Sequence, residues 1–281
     1  MANYHYRLLN VFALDGQPLS GNPLCVFEDA RGMDDATMQA LALQFNLSET
    51  TFILPSEAAT ARVRIFTPSF EMPFAGHPTL GTAQVVRDIY DAGDELTLAM
   101  RAGVIPVHAR HNTWTLQANA PTWRTVDAST AQLADMLSLQ AQDVSEPALW
   151  VNTGSEQLIV PLNSAGAVER CEPKLELLRH YAKLSENRFL VYVWASSQQD
   201  IVSRFFFAKG MAVAEDPATG SACANLGGWF VATQATLPVD VQVYQGSAVG
   251  RPSQLGLQVS VAQQIFVSGQ VIELGRGTIE L

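Results

Sequence analysis

Along this chain, apolar positions recur in short blocks whose spacing switches between the period of a strand and that of a helix. Residues 4–12 read as a strand, and the turn Pro18-Leu19-Ser20-Gly21-Asn22-Pro23 leads into a second strand over 24–27. Met38, Leu41, Leu43 and Phe45 outline an apolar face, so a helix capped by Asp34 or Asp35 is expected to end near Asn46. Strands follow over 50–54 and 62–66. The alternation of Val63 and Ile65 with Arg62 and Arg64 predicts a sheet with one wet side.

A helix is expected over 78–90, with Pro78 in its first turn and Gly93 as its stop. Its opening, with Leu80, Gly81, Ala83, Val85 and Val86, is small and apolar, which suits a helix buried against a curved sheet. Residues 95–100, 104–109 and 113–118 read as a strand meander. The second half repeats the rhythm: a turn at Asn152-Thr153-Gly154-Ser155 runs into a strand, a helix falls around 174–183, strands cover 189–194 and 202–208, and a helix occupies 218–233. The landmarks Gly21 and Gly76 recur as Gly154 and Gly220, a weak internal duplication. These patterns predict two α+β domains, 1–120 and 121–281 with the halves dividing at Pro121, each a curled sheet around a buried helix. The last strand is a candidate to pack back on the first domain.

Composition narrows the partners. Of 281 residues, 48% are hydrophobic and 16% charged, poor in charge beside the roughly 25% usual for soluble domains. Lys plus Arg number 17 against 27 for Asp plus Glu, and the net charge of -10 opposes binding to a phosphate backbone or an anionic membrane. No apolar run approaches the roughly 20 residues of a membrane span, and the opening Met-Ala-Asn-Tyr-His-Tyr-Arg lacks a signal-peptide pattern, so a cytoplasmic protein is expected. Cys25, Cys171 and Cys223 have neither even number nor metal-ligand spacing and are read as buried hydrophobes, with no metal site expected.

The chemistry concentrates at two similar corners, Phe74-Ala75-Gly76-His77-Pro78 and Asp216-Pro217-Ala218-Thr219-Gly220-Ser221. Each sets a glycine and a polar side chain at a helix start, where backbone N–H groups lack partners inside the helix and attract anions. Two such starts, one from each half and facing one another, would grip a small carboxylate without Lys or Arg. Glu49 lies between a helix end and an apolar strand, and a carboxyl group at the lip of an apolar pocket is suited to shuttle protons. Its bland alternative is a surface acid. His77 is either an acid/base group or a structural cap, and Asp216 either a site residue or an N-cap. Ser221 could anchor a carboxylate, or act as a nucleophile with His77 as base and Asp216 as orienter, which would make a hydrolase; the nucleophile-elbow pattern is missing around it. A third reading is a protein that binds a small acid without converting it.

At these residues the chain resembles the phenazine-biosynthesis PhzF family, of the diaminopimelate-epimerase-like fold. The motifs are GNPLCVF from Gly21, NLSETTF from Asn46, FTPSFEMPFAGHPTLGTA from Phe66, EDPATGSA from Glu215, QGSAVGRPS from Gln245 and GRGTIEL at the C-terminal end. They occur in family order over nearly the whole length. The resemblance implies two like domains related by pseudo-twofold symmetry, a homodimer, and an isomerase that uses no cofactor. It assigns the proton shuttle to Glu49, further pocket roles to His77, Asp216 and Ser221, and backbone donors to Gly76 and Gly220. The reaction implied is isomerisation of a dihydro-hydroxyanthranilate. The epimerases of this fold use two cysteines, and neither corner here offers one in the corresponding place, since Cys223 lies beyond Ser221.

Overall fold

A computed structural model describes residues 2–281. The elements form a mixed α and β fold in two compact units: residues up to Gln117 together with Ser268–Leu281, and Ala118–Val267.

The first unit contains β1 (Asn3–Val11), β2 (Asn22–Phe27), α1 (Asp35–Phe45), β3 (Glu49–Leu54), β4 (Ala61–Phe66), β5 (Glu71–Met72), α2 (Gly76–Tyr90), β6 (Glu95–Met100), β7 (Gly103–Arg110) and β8 (Thr113–Gln117). β1 is antiparallel to β2, β2 parallel to β3, β3 antiparallel to β4, β4 parallel to β6, and β6 to β8 form an antiparallel meander. Each parallel step needs a crossover, and α1 and α2 supply them. α2 packs on β1, β2, β3, β4, β6 and β8. All of its residues from Gly76 to Val86 except Gln84 are buried, which explains the small, apolar opening of this helix. At Gly81 a Cβ would stand 2.5 Å from Leu24 Cδ2 and 2.8 Å from Val11 Cγ2, so glycine lets the helix approach β1 and β2.

Asp34 caps α1 by accepting from the Thr37 N–H, and Asn46 ends it in the left-handed region. α2 begins at Gly76, two residues before the expected start. It ends at Asp91 (φ 48°) rather than at Gly93: the short polar side chain tolerates the left-handed conformation, and the reversal comes earlier.

The second unit contains β9 (Thr122–Thr125), α3 (Thr130–Met136), β10 (Leu149–Asn152), β11 (Gln157–Pro161), α4 (Ala165–Arg170), α5 (Leu175–Tyr181), β12 (Lys183–Ser185), β13 (Arg188–Ser197), β14 (Asp200–Lys209), β15 (Ala212–Asp216), α6 (Gly220–Ala232), β16 (Val239–Gln245) and β17 (Ser253–Val259). From β10 onward the pairings run antiparallel to β11, parallel to β13, antiparallel to β14, parallel to β16 and antiparallel to β17. This is the succession found from β1 to β7. α6 packs on β9, β10, β11 and β17. It nests there through Gly227 and Gly228, where an added Cβ would meet Ile265 Cγ2 at 2.8 Å and Val151 Cγ1 at 2.7 Å.

The chain ends in β18 (Ile265–Glu280), whose residues from Val271 onward pair antiparallel with β1, Asn3 opposite Glu280. In the first unit Arg7 of β1 is buried and holds Glu28 at 2.5 Å, Asp88 at 2.8 Å and Glu273 of β18 at 3.0 Å. No helix among the described residues is long and apolar enough to cross a membrane.

Candidate active site

In the first unit the end of α1 turns directly into β3, whose first residue is Glu49. Leu24 of β2 lies opposite it in parallel register. α2 starts alongside, and His77 in its first turn points its Nδ1 at Glu49 Oε2, 2.9 Å away. Both side chains are largely withdrawn from solvent, at 5% exposure for His77 and 17% for Glu49. An ionised carboxylate only accepts, so in that state the imidazole carries its proton on Nδ1 and presents a lone pair at Nε2. Nε2 is buried and has no partner among the described residues. A buried polar atom of this kind is ordinarily satisfied by an ordered water or a bound ligand. His77 is therefore not a helix cap; the N-cap is Ala75, which has no side chain to offer.

In the second unit β15 ends at Asp216, and after three intervening residues α6 begins at Gly220. Asp216 is not the N-cap either: that position belongs to Thr219, whose Oγ1 donates to Asp216 Oδ2 at 2.6 Å instead of capping the helix. Gln245 at the end of β16 clamps the corner, its Nε2 donating to the Asp216 main-chain oxygen at 2.8 Å and its Oε1 accepting from the Thr219 N–H at 3.3 Å. Gly246 follows at φ 82°, and a Cβ there would lie 2.2 Å from the Arg251 oxygen and 2.4 Å from the Pro217 oxygen.

α1, α3 and α4 carry side-chain caps at Asp34, Ser129 and Ser164, whereas α2, α5 and α6 have none. Among the described residues none accepts from the N–H groups of Gly220 and Ser221. These two donors, with the positive end of the α6 dipole behind them, are disposed to take an anion.

Ser221 Oγ accepts from Gln157 Nε2 at 2.9 Å. Gln157 Oε1 in turn accepts from Asn225 Nδ2 at 2.8 Å, and Asn225 Oδ1 accepts from both the N–H and the Oγ1 of Thr153. Sequence reasoning missed Gln157 and Asn225. The available signals were a lone amide heading the apolar strand Gln157-Leu158-Ile159-Val160 and another inside the small apolar helix of residues 220–232.

The site residues thus form two groups, Gly76 and His77 with Glu49, and Asp216 with Gly220 and Ser221. The hydrolase arrangement requires Asp216 on the imidazole; the atom it would occupy, His77 Nδ1, faces Glu49. Thiol chemistry is closed to Cys223, which is fully buried, and burial pushes its thiol well above the usual range. Among the described residues no three His, Cys, Asp or Glu side chains gather as metal ligands.

The model of the phenazine biosynthesis-like protein family matches residues 9–276. An uncharacterized isomerase of Pasteurella multocida is 39% identical over 280 residues, covering 98% of this chain and 94% of that protein. The trans-2,3-dihydro-3-hydroxyanthranilate isomerase of Pseudomonas chlororaphis is 32% identical, with 99% of this chain and 100% of that protein covered. The fold is shared with a PhzF-family protein of Bacillus anthracis, whose crystal structure superposes with a TM-score of 0.87 at 24% identity over 100% of both chains.

Proposed function

The chain belongs to the phenazine biosynthesis-like family and is an isomerase, and we propose that it shifts a proton on a small unsaturated amino- or hydroxycarboxylic acid, as its relative does on trans-2,3-dihydro-3-hydroxyanthranilate. The observation that carries this reading is the Glu49–His77 pair with its unsatisfied Nε2. The ionised Glu49 removes a proton from a carbon next to a double bond, the electron pair moves through the allylic system, and the same carboxyl group, exchanging its proton with solvent between the two steps, protonates the far carbon. His77 donates to the carboxylate through Nδ1 and accepts from a substrate hydroxyl or amino group through Nε2. Asp216 holds the other polar substituent, and the Gly220 and Ser221 donors take the carboxylate, with Gly76 adding its N–H. Glu49 is the one group in this scheme that both takes a proton from carbon and delivers one to it.

The finer architecture enters the same reading. We take the two units as copies of one epimerase-like fold, supported by their common succession of strand pairings and by α2 and α6 standing at matching places in it.

The test is isotopic. Incubated in D₂O with trans-2,3-dihydro-3-hydroxyanthranilate, the protein is expected to yield product carrying solvent deuterium at carbon. Turnover without carbon-bound deuterium from solvent or from a deuterium-loaded Glu49, or no turnover with this acid and its close analogues, overturns the proposal and favours a binder.

A further inference from the structure

The amide chain behind Ser221 has its orientation dictated by groups that cannot be reversed. The Thr153 backbone N–H can only donate, so the Asn225 atom facing it at 2.9 Å is the oxygen. The Ser155 backbone oxygen can only accept, so the Asn225 atom 2.8 Å from it is the nitrogen. That nitrogen also donates to Gln157 at 2.8 Å, which must present its oxygen there. Gln157 is then left with its nitrogen toward Ser221, 2.9 Å from Oγ. Gln157 and Asn225 are 3% and 0% exposed, so bulk water does not compete for these bonds.

A serine hydroxyl has one proton and two acceptor sites. Since Gln157 occupies an acceptor site, the proton cannot point at Gln157, and among the described residues no other group accepts it. We infer that Gln157 is a positioning residue: by donating to Ser221 Oγ it turns the Ser221 O–H outward, making it a third donor beside the N–H groups of Gly220 and Ser221 and selecting an ionised carboxylate over a neutral amide. This rests on the proposed role of Ser221 as carboxylate anchor. It assigns the corner its specificity through the Asn225 and Thr153 relay, which touches no ligand itself.

Gln157→Glu tests it. A glutamate retains an oxygen for Asn225 Nδ2 and so keeps the relay, but its second oxygen accepts from Ser221 and draws the proton inward. The probes are anthranilate and its uncharged counterpart anthranilamide, with dissociation constants measured by calorimetry on folded protein verified by its melting temperature. Wild type is expected to prefer anthranilate. Ser221→Ala should weaken anthranilate by about ten- to hundredfold, the range of a hydrogen bond to a charged group, and leave anthranilamide nearly unchanged. Gln157→Glu should lose at least as much of the preference. Gln157→Met, which removes the donor without adding charge, should cost severalfold in the wild-type background and less than about twofold in Ser221→Ala, because it acts only through the hydroxyl.

Equal losses from Gln157→Met in both backgrounds, or an unchanged preference in Gln157→Glu, overturn the positioning role while leaving the anchor intact. If Ser221→Ala binds anthranilate as wild type does, or wild type shows no preference, the anchor reading itself fails. A Gln157→Met protein too unstable to assay leaves the decision to Gln157→Glu.

Discussion

Thr51 Oγ1 and Thr82 Oγ1 meet at 2.8 Å in the buried space between β3 and α2. Thr51 lies two residues beyond Glu49 and Thr82 in the helix that begins beside His77, so this bond ties together the two elements that carry the proton-transfer pair. Thr82 Oγ1 already donates its proton to the Pro78 oxygen at 2.7 Å, hence Thr51 is the donor between them. The asymmetry predicts unequal costs. Thr51→Val leaves Thr82 satisfied and should destabilise by about 1 kcal/mol, whereas Thr82→Val strands the Thr51 hydroxyl and should cost about 1–3 kcal/mol. Urea unfolding of both variants, together with the double variant, measures the difference; equal losses would contradict the assigned donor direction.

Glu49→Gln retains shape and hydrogen-bonding capacity but cannot carry the proton. Its turnover is expected to fall by about 10²–10⁴ with substrate affinity maintained, the signature of a group needed in the transition state rather than for binding. Steady-state kinetics with a parallel binding assay checks this, and a variant of near-normal rate would remove the mechanism.

Ser221 accepts from Gln157, and the imidazole faces Glu49. No base is aligned on this hydroxyl within its own unit. A fluorophosphonate probe should therefore leave Ser221 unmodified, as read by intact-mass spectrometry, and stoichiometric labelling at Ser221 would revive the hydrolase.

Gly246 sits at φ 82° with two main-chain oxygens where a Cβ would go. Gly246→Ala is expected to destabilise by at least about 2 kcal/mol, because both the left-handed conformation and the backbone clash oppose it. Its effect should reach the Asp216 corner, since Gln245 and Thr219 are hydrogen-bonded there. Thermal unfolding and KM report the two consequences separately.

Acid should weaken the first unit through its half-buried carboxylates, Glu71 and Glu273 among them. Glu71 is held below its ordinary 4.5, first by its hydrogen bonds from Arg64, and Glu273 is also lowered, where the hydrogen bonds and charges of Arg276 and Arg7 outweigh desolvation. For a group whose folded value is depressed, the stabilisation is fully present above the unfolded value and lost as pH falls through the folded one. Melting temperatures should thus hold from neutral pH down to about 5 and then decline. In Arg64→Met the decline should be shallower, and an unchanged slope would show that Arg64 does not govern it.

Much of the secondary structure was legible because its signals are local. The strand over 62–66, the cap narrowed to Asp34 or Asp35, and the small-residue helices expected over 78–90 and 218–233, which begin two residues away at 76 and 220, each depend on neighbours a few positions away. Elements with weak local patterns, such as α3, α4 and β15, were not legible. β15 mattered most, because it makes Asp216 a strand end and moves the cap to Thr219.

The chain's own order of residues determined which groups are available for chemistry: a carboxyl before an apolar strand, an imidazole and a hydroxyl each just inside a helix, and glycines where the backbone must come close. Only tertiary structure decided what those groups do to one another. That Nδ1 of residue 77 turns to Glu49, 28 positions earlier, and that Gln157 reaches Ser221, 64 positions later, follows from strand register and helix packing. Periodicity and capping record only what happens within a turn or two of backbone, whereas the direction of a buried proton is set by partners the fold brings from far along the chain.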